Sequence, residues 1–132
     1  MKLYKTKEIK NIALLGSKGS GKTTLAEAML FECGVIKRRG TVEAKNTVTD
    51  YFPVEKEYGY SVFSTVFYAE FLEKKLNVID CPGADDFVGS AITALNVTDT
   101  GVIVVNAQYG VEVGTQNIFR TASGLKKPII FA

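Results

Sequence analysis

The chain has 132 residues, 46% of them hydrophobic, with 16 basic and 14 acidic side chains and no histidine. That length and apolar content suit one globular domain with its own core. A net charge of +2 makes no field that would argue for DNA or a membrane surface as a partner.

No apolar run reaches the ~18 residues of a membrane span, and residues 1–10 lack the apolar stretch of a signal peptide. Cys33 and Cys81 form no C-x-x-C pair, which argues against a zinc site or a disulfide framework. A cytoplasmic protein with reduced cysteines is the expectation.

Tyr4, Lys5, Lys7 and Lys10 mark residues 1–10 as a basic leader to a domain over 11–132. Asn11–Leu15 reads as a buried strand and Thr24–Leu30 as a helix, stopped at Cys33-Gly34. Between them lie Gly16, Ser17, Lys18, Gly19, Ser20, Gly21, Lys22 and Thr23, a complete G-x-x-x-x-G-K-[ST] loop. The flanking glycines let the backbone turn tightly and aim its N–H groups at one centre. Lys22 is placed to reach β- and γ-phosphates and the Thr23 hydroxyl to ligate Mg²⁺. Thr24 and the positive end of the helix complete an anion site. Strand, loop and helix in this order imply a nucleoside triphosphate site.

Val35–Glu57 has neither period and is rich in charge and Thr; so long a connection is usually functional or mobile. Lys37-Arg38-Arg39 within it reads as a solvated cluster. Ser61–Phe71 reads as a strand with Phe63, Phe67 and Phe71 on one face, and Glu73-Lys74-Lys75 as the turn into a strand at Leu76–Ile79. Gly101–Val105 and Pro128–Phe131 complete the strands, with helices over Phe87–Val97 and Thr115–Leu125 and a loop at Tyr109-Gly110. The alternation predicts a three-layer α/β fold around a mostly parallel sheet. Asp80-Cys81-Pro82-Gly83 falls at the carboxyl end of the third strand. A carboxylate there holds Mg²⁺ through water, and the bare N–H of Gly83 can meet a γ-phosphate.

These motifs, with Lys10-Asn11-Ile12, Ala28-Met29-Leu30-Phe31, Thr49-Asp50, Asn77-Val78-Ile79, Asp86-Phe87, Gly110-Val111 and Thr115-Gln116, resemble the front part of the GTP-binding domain of translational GTPases, most closely elongation factor G. The resemblance implies a P-loop G domain that binds GTP/GDP with Mg²⁺. It further implies the ribosome as partner and a role in translocation or recycling. Nucleotide contacts would fall to Gly16–Thr24 and to Asp80, Cys81, Pro82 and Gly83, and metal contacts to Thr23, Ser61 and Asp80.

Three departures stand out. The family's histidine after the D-x-P-G glycine is Ala84 here, the loop aspartate of many members is Gly19, and R-G-I-T is Tyr58-Gly59-Tyr60-Ser61. A methyl group cannot position water, so hydrolysis is expected to be slow or absent. Gly19 offers only backbone where a carboxylate could help hold a cation near developing charge. Ser61 keeps the hydroxyl. The family's N-K-x-D guanine-reading motif would follow Ala132, so the chain reads as part of a domain whose incomplete sheet favours self-association. Alternatives are a ribosomal protection or regulatory factor and an unrelated P-loop kinase or ATPase.

Overall fold

The computed structural model describes residues 2–84, 86 and 88–132. Five strands form one sheet: β1 (Ile9–Leu15), β2 (Thr65–Phe71), β3 (Lys74–Asp80), β4 (Thr100–Ile103) and β5 (Ile129–Phe131), in the order β2-β3-β1-β4-β5. β1 lies parallel to β3 and β4, β4 lies parallel to β5, and β2 alone runs antiparallel, against β3. The helices are α1 (Lys22–Glu32), α2 (Pro53–Tyr58), α3 (Val88–Val97) and α4 (Val113–Gly124).

Alternation along the strands sends side chains to two separate cores. Ala13, Leu15, Ile79 and Ile103 pack with Ala91, Ala94 and Leu95 of α3 and Ile118 and Ala122 of α4. On the other face Leu14, Val78, Leu76 and Val102 meet Leu25, Ala26 and Met29 of α1. The three expected layers are therefore present. Chain order reverses at β1, since β3 lies on one side of it and β4 on the other. A crevice opens at the carboxyl ends of strands on either side of such a reversal.

Several boundaries differ from the expectation. β1 takes in Ile9 and Lys10, and Thr6–Glu8 form a 3₁₀ turn, so only residues 2–5 precede regular structure. The stretch Val35–Glu57 is not wholly irregular. Pro53 starts α2 with its fixed φ, the Phe52 amide donates to Glu55 Oε2 at 3.2 Å, and Gly59, at φ +69, closes the helix. The strand expected from Ser61 begins only at Thr65. Its missing residues have other partners: the Val62 and Phe63 amides donate to Glu55 Oε1 at 3.0 and 3.1 Å. Phe63 thus lies outside β2 and meets the Phe52 ring at a tilt with centroids 4.9 Å apart, Phe67 enters the α1-side core, and Phe71 is exposed.

The turn expected at Glu73-Lys74-Lys75 sits at Leu72-Glu73, with Lys74 and Lys75 already in β3. β4 stops at Ile103 and β5 starts at Ile129, one or two residues inside their expected limits. α3 begins at Val88, the expected start Phe87 lying outside the described residues, and α4 begins two residues before Thr115. The helix stop at Cys33-Gly34 is as expected. Gly34 has φ +71, the Val35 amide bonds Leu30 O at 2.9 Å, and the Gly34 amide bonds Phe31 O at 2.9 Å, the paired bonds of a Schellman cap. Among the described residues no helix is long and apolar enough to cross a membrane.

Candidate nucleotide-binding site

The site sits at the reversal point, between the carboxyl ends of β1 and β3. Gly16 leaves β1 with φ +139, and a Cβ there would strike Val104 O and lie 2.9 Å from Ser20 Oγ. Only glycine fits. Gly19 and Gly21 have φ +75 and +100, which completes a concave turn with Gly21 at the start of α1. Ser17 is buried, its Oγ 3.0 Å from Thr115 Oγ1, which ties the loop to α4. The Asn106 side-chain Nδ2 donates to Gly19 O at 3.3 Å.

Lys22 is buried at the centre of this turn. Its Nζ donates to Gly16 O at 2.9 Å and to Ser17 O at 2.8 Å. Burial pushes its pKa down, opposed by the charge of Asp80. Gly83 faces it from the end of β3: a Cβ on residue 83 would overlap Lys22 Nζ and lie 2.8 Å from the Lys18 amide. The Asp-Cys-Pro-Gly segment therefore closes against the loop.

Thr23, Ser61 and Asp80, the expected metal set, converge. Thr23 Oγ1 lies 3.3 Å from Ser61 Oγ and 3.5 Å from Asp80 Oδ2. Asp50 is the residue that sequence reasoning left without a role here: Ser61 Oγ donates to its Oδ1 at 2.6 Å. No periodicity marks Asp50, because it sits in the long connection, and only its place in a family match singles it out. Burial raises the pKa of Asp50. Burial likewise pushes Asp80 up to about 7, with Lys22 opposing and Asp50 adding to the shift.

Among the described residues the buried Asp80 Oδ1 has no hydrogen-bond partner. An orphaned carboxylate oxygen beside two hydroxyls and a second carboxylate is a donor set of hard oxygens, which suits Mg²⁺. The residues present thus fit that cation.

Lys18, Gly19, Gly21, Lys22, Thr24, Gly83 and Ala84 line a cavity of about 290 Å³ together with Asp50, Tyr60 and Ser61. Two of the expected nucleotide contacts, Cys81 and Pro82, do not line this cavity. The Cys81 side chain belongs to the core under α3 and α4, where burial pushes its thiol up to about 12. Pro82 lines a neighbouring cavity of about 210 Å³ between α3 and α4. Parity explains the first, since Cys81 shares the sheet face of Ile79, opposite to Asp80. Ala84 borders both cavities and brings only a methyl group to either.

Two further residues escaped sequence reasoning. Glu27, on the buried face of α1, accepts hydrogen bonds from the amides of Gly40 and Val48, at 2.8 and 2.5 Å. Glu55 accepts those of Phe52, Val62 and Phe63. Both are 1% exposed, and together they fasten the connection that carries Asp50 and Ser61.

Comparison with known proteins places the chain in a family. The family of the elongation factor Tu GTP binding domain matches residues 7–132. The mitochondrial ribosome-releasing factor 2 of Candida dubliniensis is 39% identical over 121 residues, covering 92% of this chain and 15% of that protein. Peptide chain release factor 3 of Lactobacillus helveticus is 34% identical, over 95% of this chain and 25% of that one. A solved Thermus thermophilus protein superposes with a TM-score of 0.89 at 39% identity, covering 94% of this chain and 19% of the other. A bacterial selenocysteine-specific elongation factor shares the fold, with a TM-score of 0.72 at 24% identity over 92% of this chain and 19% of that one. The chain thus spans well under a third of the length of these relatives.

Proposed function

The chain belongs to the family of the elongation factor Tu GTP binding domain, as a GTP-binding domain of the translational GTPase type, and from that premise we propose that it binds GTP with Mg²⁺ and acts chiefly through binding. The observation that carries the second part is Ala84. It stands beside Gly83 at the mouth of the phosphate cavity, where the resemblance calls for a histidine, and the chain has none.

In this reading the turn from Gly16 to Gly21 cradles the phosphates with its backbone N–H groups. Lys22 exchanges Gly16 O and Ser17 O for β- and γ-oxygens, and the Gly83 amide meets the terminal phosphate. Thr23 and Ser61 would ligate Mg²⁺, with Asp80 and Asp50 behind them. When bound, that cation neutralises charge on the β- and γ-oxygens. What the chain lacks is a side chain at residue 84 able to orient an attacking water. Such a group is worth about 10²–10⁴-fold in rate. Guanine over adenine, a cytoplasmic location and work on the ribosome belong to the same proposal, supported by the resemblance to elongation factor G.

A specific observation favours a second reading of the ribosomal role. Two of the relatives above are named for ribosome release and peptide release, which supports a binding-driven releasing factor over a translocase. Both readings share the site and differ in the ribosomal step served.

The test is GTP hydrolysis with and without ribosomes, beside an Ala84→His variant. A nearly inactive parent and a variant that gains turnover support action through binding. Brisk hydrolysis by the parent on ribosomes would sink it and leave the family assignment intact.

A further inference from the structure

Lys18 and Tyr60 approach each other across the phosphate cavity that both line. Lys18 is the third residue of the phosphate loop, and its Nζ stands 3.6 Å from the centroid of the Tyr60 ring. That is well inside the ~6 Å within which an aromatic face attracts a cation. The ring of Tyr58 backs Tyr60 with centroids 6.0 Å apart. Tyr60 immediately precedes Ser61, whose hydroxyl meets Thr23 and Asp50.

Other contacts within the protein also fasten this segment. Glu27 accepts the Gly40 and Val48 amides, Glu55 accepts those of Val62 and Phe63, and Thr65 Oγ1 donates to Thr49 O at 2.9 Å. In P-loop switches the corresponding loop is ordered by the γ-phosphate and its metal, and is released when that phosphate leaves. A contact between loop and segment that uses no phosphate opposes that release. A cation–π pair contributes roughly two- to thirtyfold in an equilibrium, the upper end when water is excluded.

We propose that Lys18 and Tyr60 form a clasp, with Tyr60 as a positioning residue that holds Ser61 against Thr23 whether the nucleotide is a diphosphate or a triphosphate. The clasp rests on the reading of the cavity as a nucleotide site. It makes the chain a weak reporter of the γ-phosphate: the segment from Gly40 to Ser61 stays docked in both states.

The exposed run Lys37-Arg38-Arg39 beside this segment gives the readout, trypsin cleavage there in the intact protein followed by mass spectrometry. With saturating GDP and with a non-hydrolysable GTP analogue the parent should be cut at rates within about threefold of each other. Tyr60→Leu and Lys18→Met should be cut more than about threefold faster with GDP and no faster with the analogue. Tyr60→Phe and Lys18→Arg keep the ring and the cation and should behave as the parent. The double variant should be no faster than either single one, because both lose one shared contact. A parent cut more than threefold faster with GDP overturns the clasp, as does Tyr60→Phe behaving like Tyr60→Leu. Fluorescent GDP titration separates the two levels. If no nucleotide binds, the nucleotide reading fails; the clasp is then judged by the same variants without nucleotide, where faster cutting of the Leu and Met variants supports it and equal rates overturn it.

Discussion

Lys22 Nζ and the α-carbon of Gly83 meet so closely across the phosphate loop that a Cβ on residue 83 would overlap the ammonium. The same Cβ would press on the Lys18 amide and the Ser17 carbonyl carbon, each 2.8 Å away. Backbone cannot yield as a flexible side chain does, so the loop and the Asp80–Gly83 segment must part. Gly83→Ala should therefore weaken triphosphate binding by about 10- to 100-fold, the value of one charged hydrogen bond. Gly89→Ala is the control, since among the described residues a Cβ there meets nothing within 4 Å. Titration with a fluorescent triphosphate checks both, and equal affinities would show that Gly83 does not face the phosphates.

Asp80 gives the fold an unusual pH dependence when no divalent cation or nucleotide is bound. Burial pushes its carboxyl up to about 7, against an ordinary value near ~4. Between those values the folded chain holds a proton that the unfolded chain has released. Stability therefore falls as pH rises through that window and levels off above about 7. The full shift corresponds to at most ~4 kcal/mol. In chelator, the unfolding free energy should decline from pH 5 to 8, and Asp80→Asn should remove most of that slope and be more stable at pH 8. Mg²⁺ requires the ionised form, so its affinity should rise over the same range. Stability that climbs from pH 5 to 8 in the parent would contradict this assignment.

The phosphate loop and Asp80 were legible because their chemistry is local. Spacing dictates a turn of glycines, a lysine and a hydroxyl between a strand and a helix, and a carboxylate at a strand end faces whatever lies beyond it. Period 2 also separates Asp80 from Cys81, which sends the Cys81 side chain into the core under α3 and α4. Glu27, Asp50 and Glu55 were not legible in this way. Glu27 occupies a buried position on α1 where a helical pattern predicts an apolar residue, and its partners Gly40 and Val48 lie in a stretch without period. The start of β2 was misplaced for the same reason, because Glu55 takes the amides of Val62 and Phe63 out of the sheet. Long-range side-chain-to-backbone bonds leave no periodic trace.

Glu27 accepts hydrogen bonds from two backbone amides, and each such bond to a charged group is worth about 1.5–3 kcal/mol. Glu27→Ala should free the segment around Gly40 and Val48 and cost about 3–6 kcal/mol of stability for the two bonds together. Glu27→Gln keeps an acceptor oxygen and should fall between the parent and the alanine variant. Hydrogen exchange at the Gly40 and Val48 amides is the direct readout, with faster exchange expected in the order parent, Gln, Ala. Unchanged exchange in the alanine variant would mean that these amides are held by something else.

The β2–β3 hairpin carries strain that can be removed without touching the site. Phe71 pairs with Lys74 across a two-residue turn, in which Leu72 and Glu73 have φ of +45° and +59°. Two positive φ values in succession belong to the type I′ turn, which favours Asn-Gly. For other L-residues the left-handed region costs roughly 1–2 kcal/mol each. Leu72 is 77% exposed, so little packing is lost with its side chain. Leu72→Asn with Glu73→Gly should raise stability by about 1–2 kcal/mol, seen as a higher denaturant midpoint at unchanged slope. The turn lies at the amino end of β3, roughly 20 Å along the strand from Asp80 at ~3.3 Å per residue. Nucleotide affinity should accordingly stay at the parent value. A lowered midpoint would show that Leu72 and Glu73 make contacts worth more than the relief of their backbone.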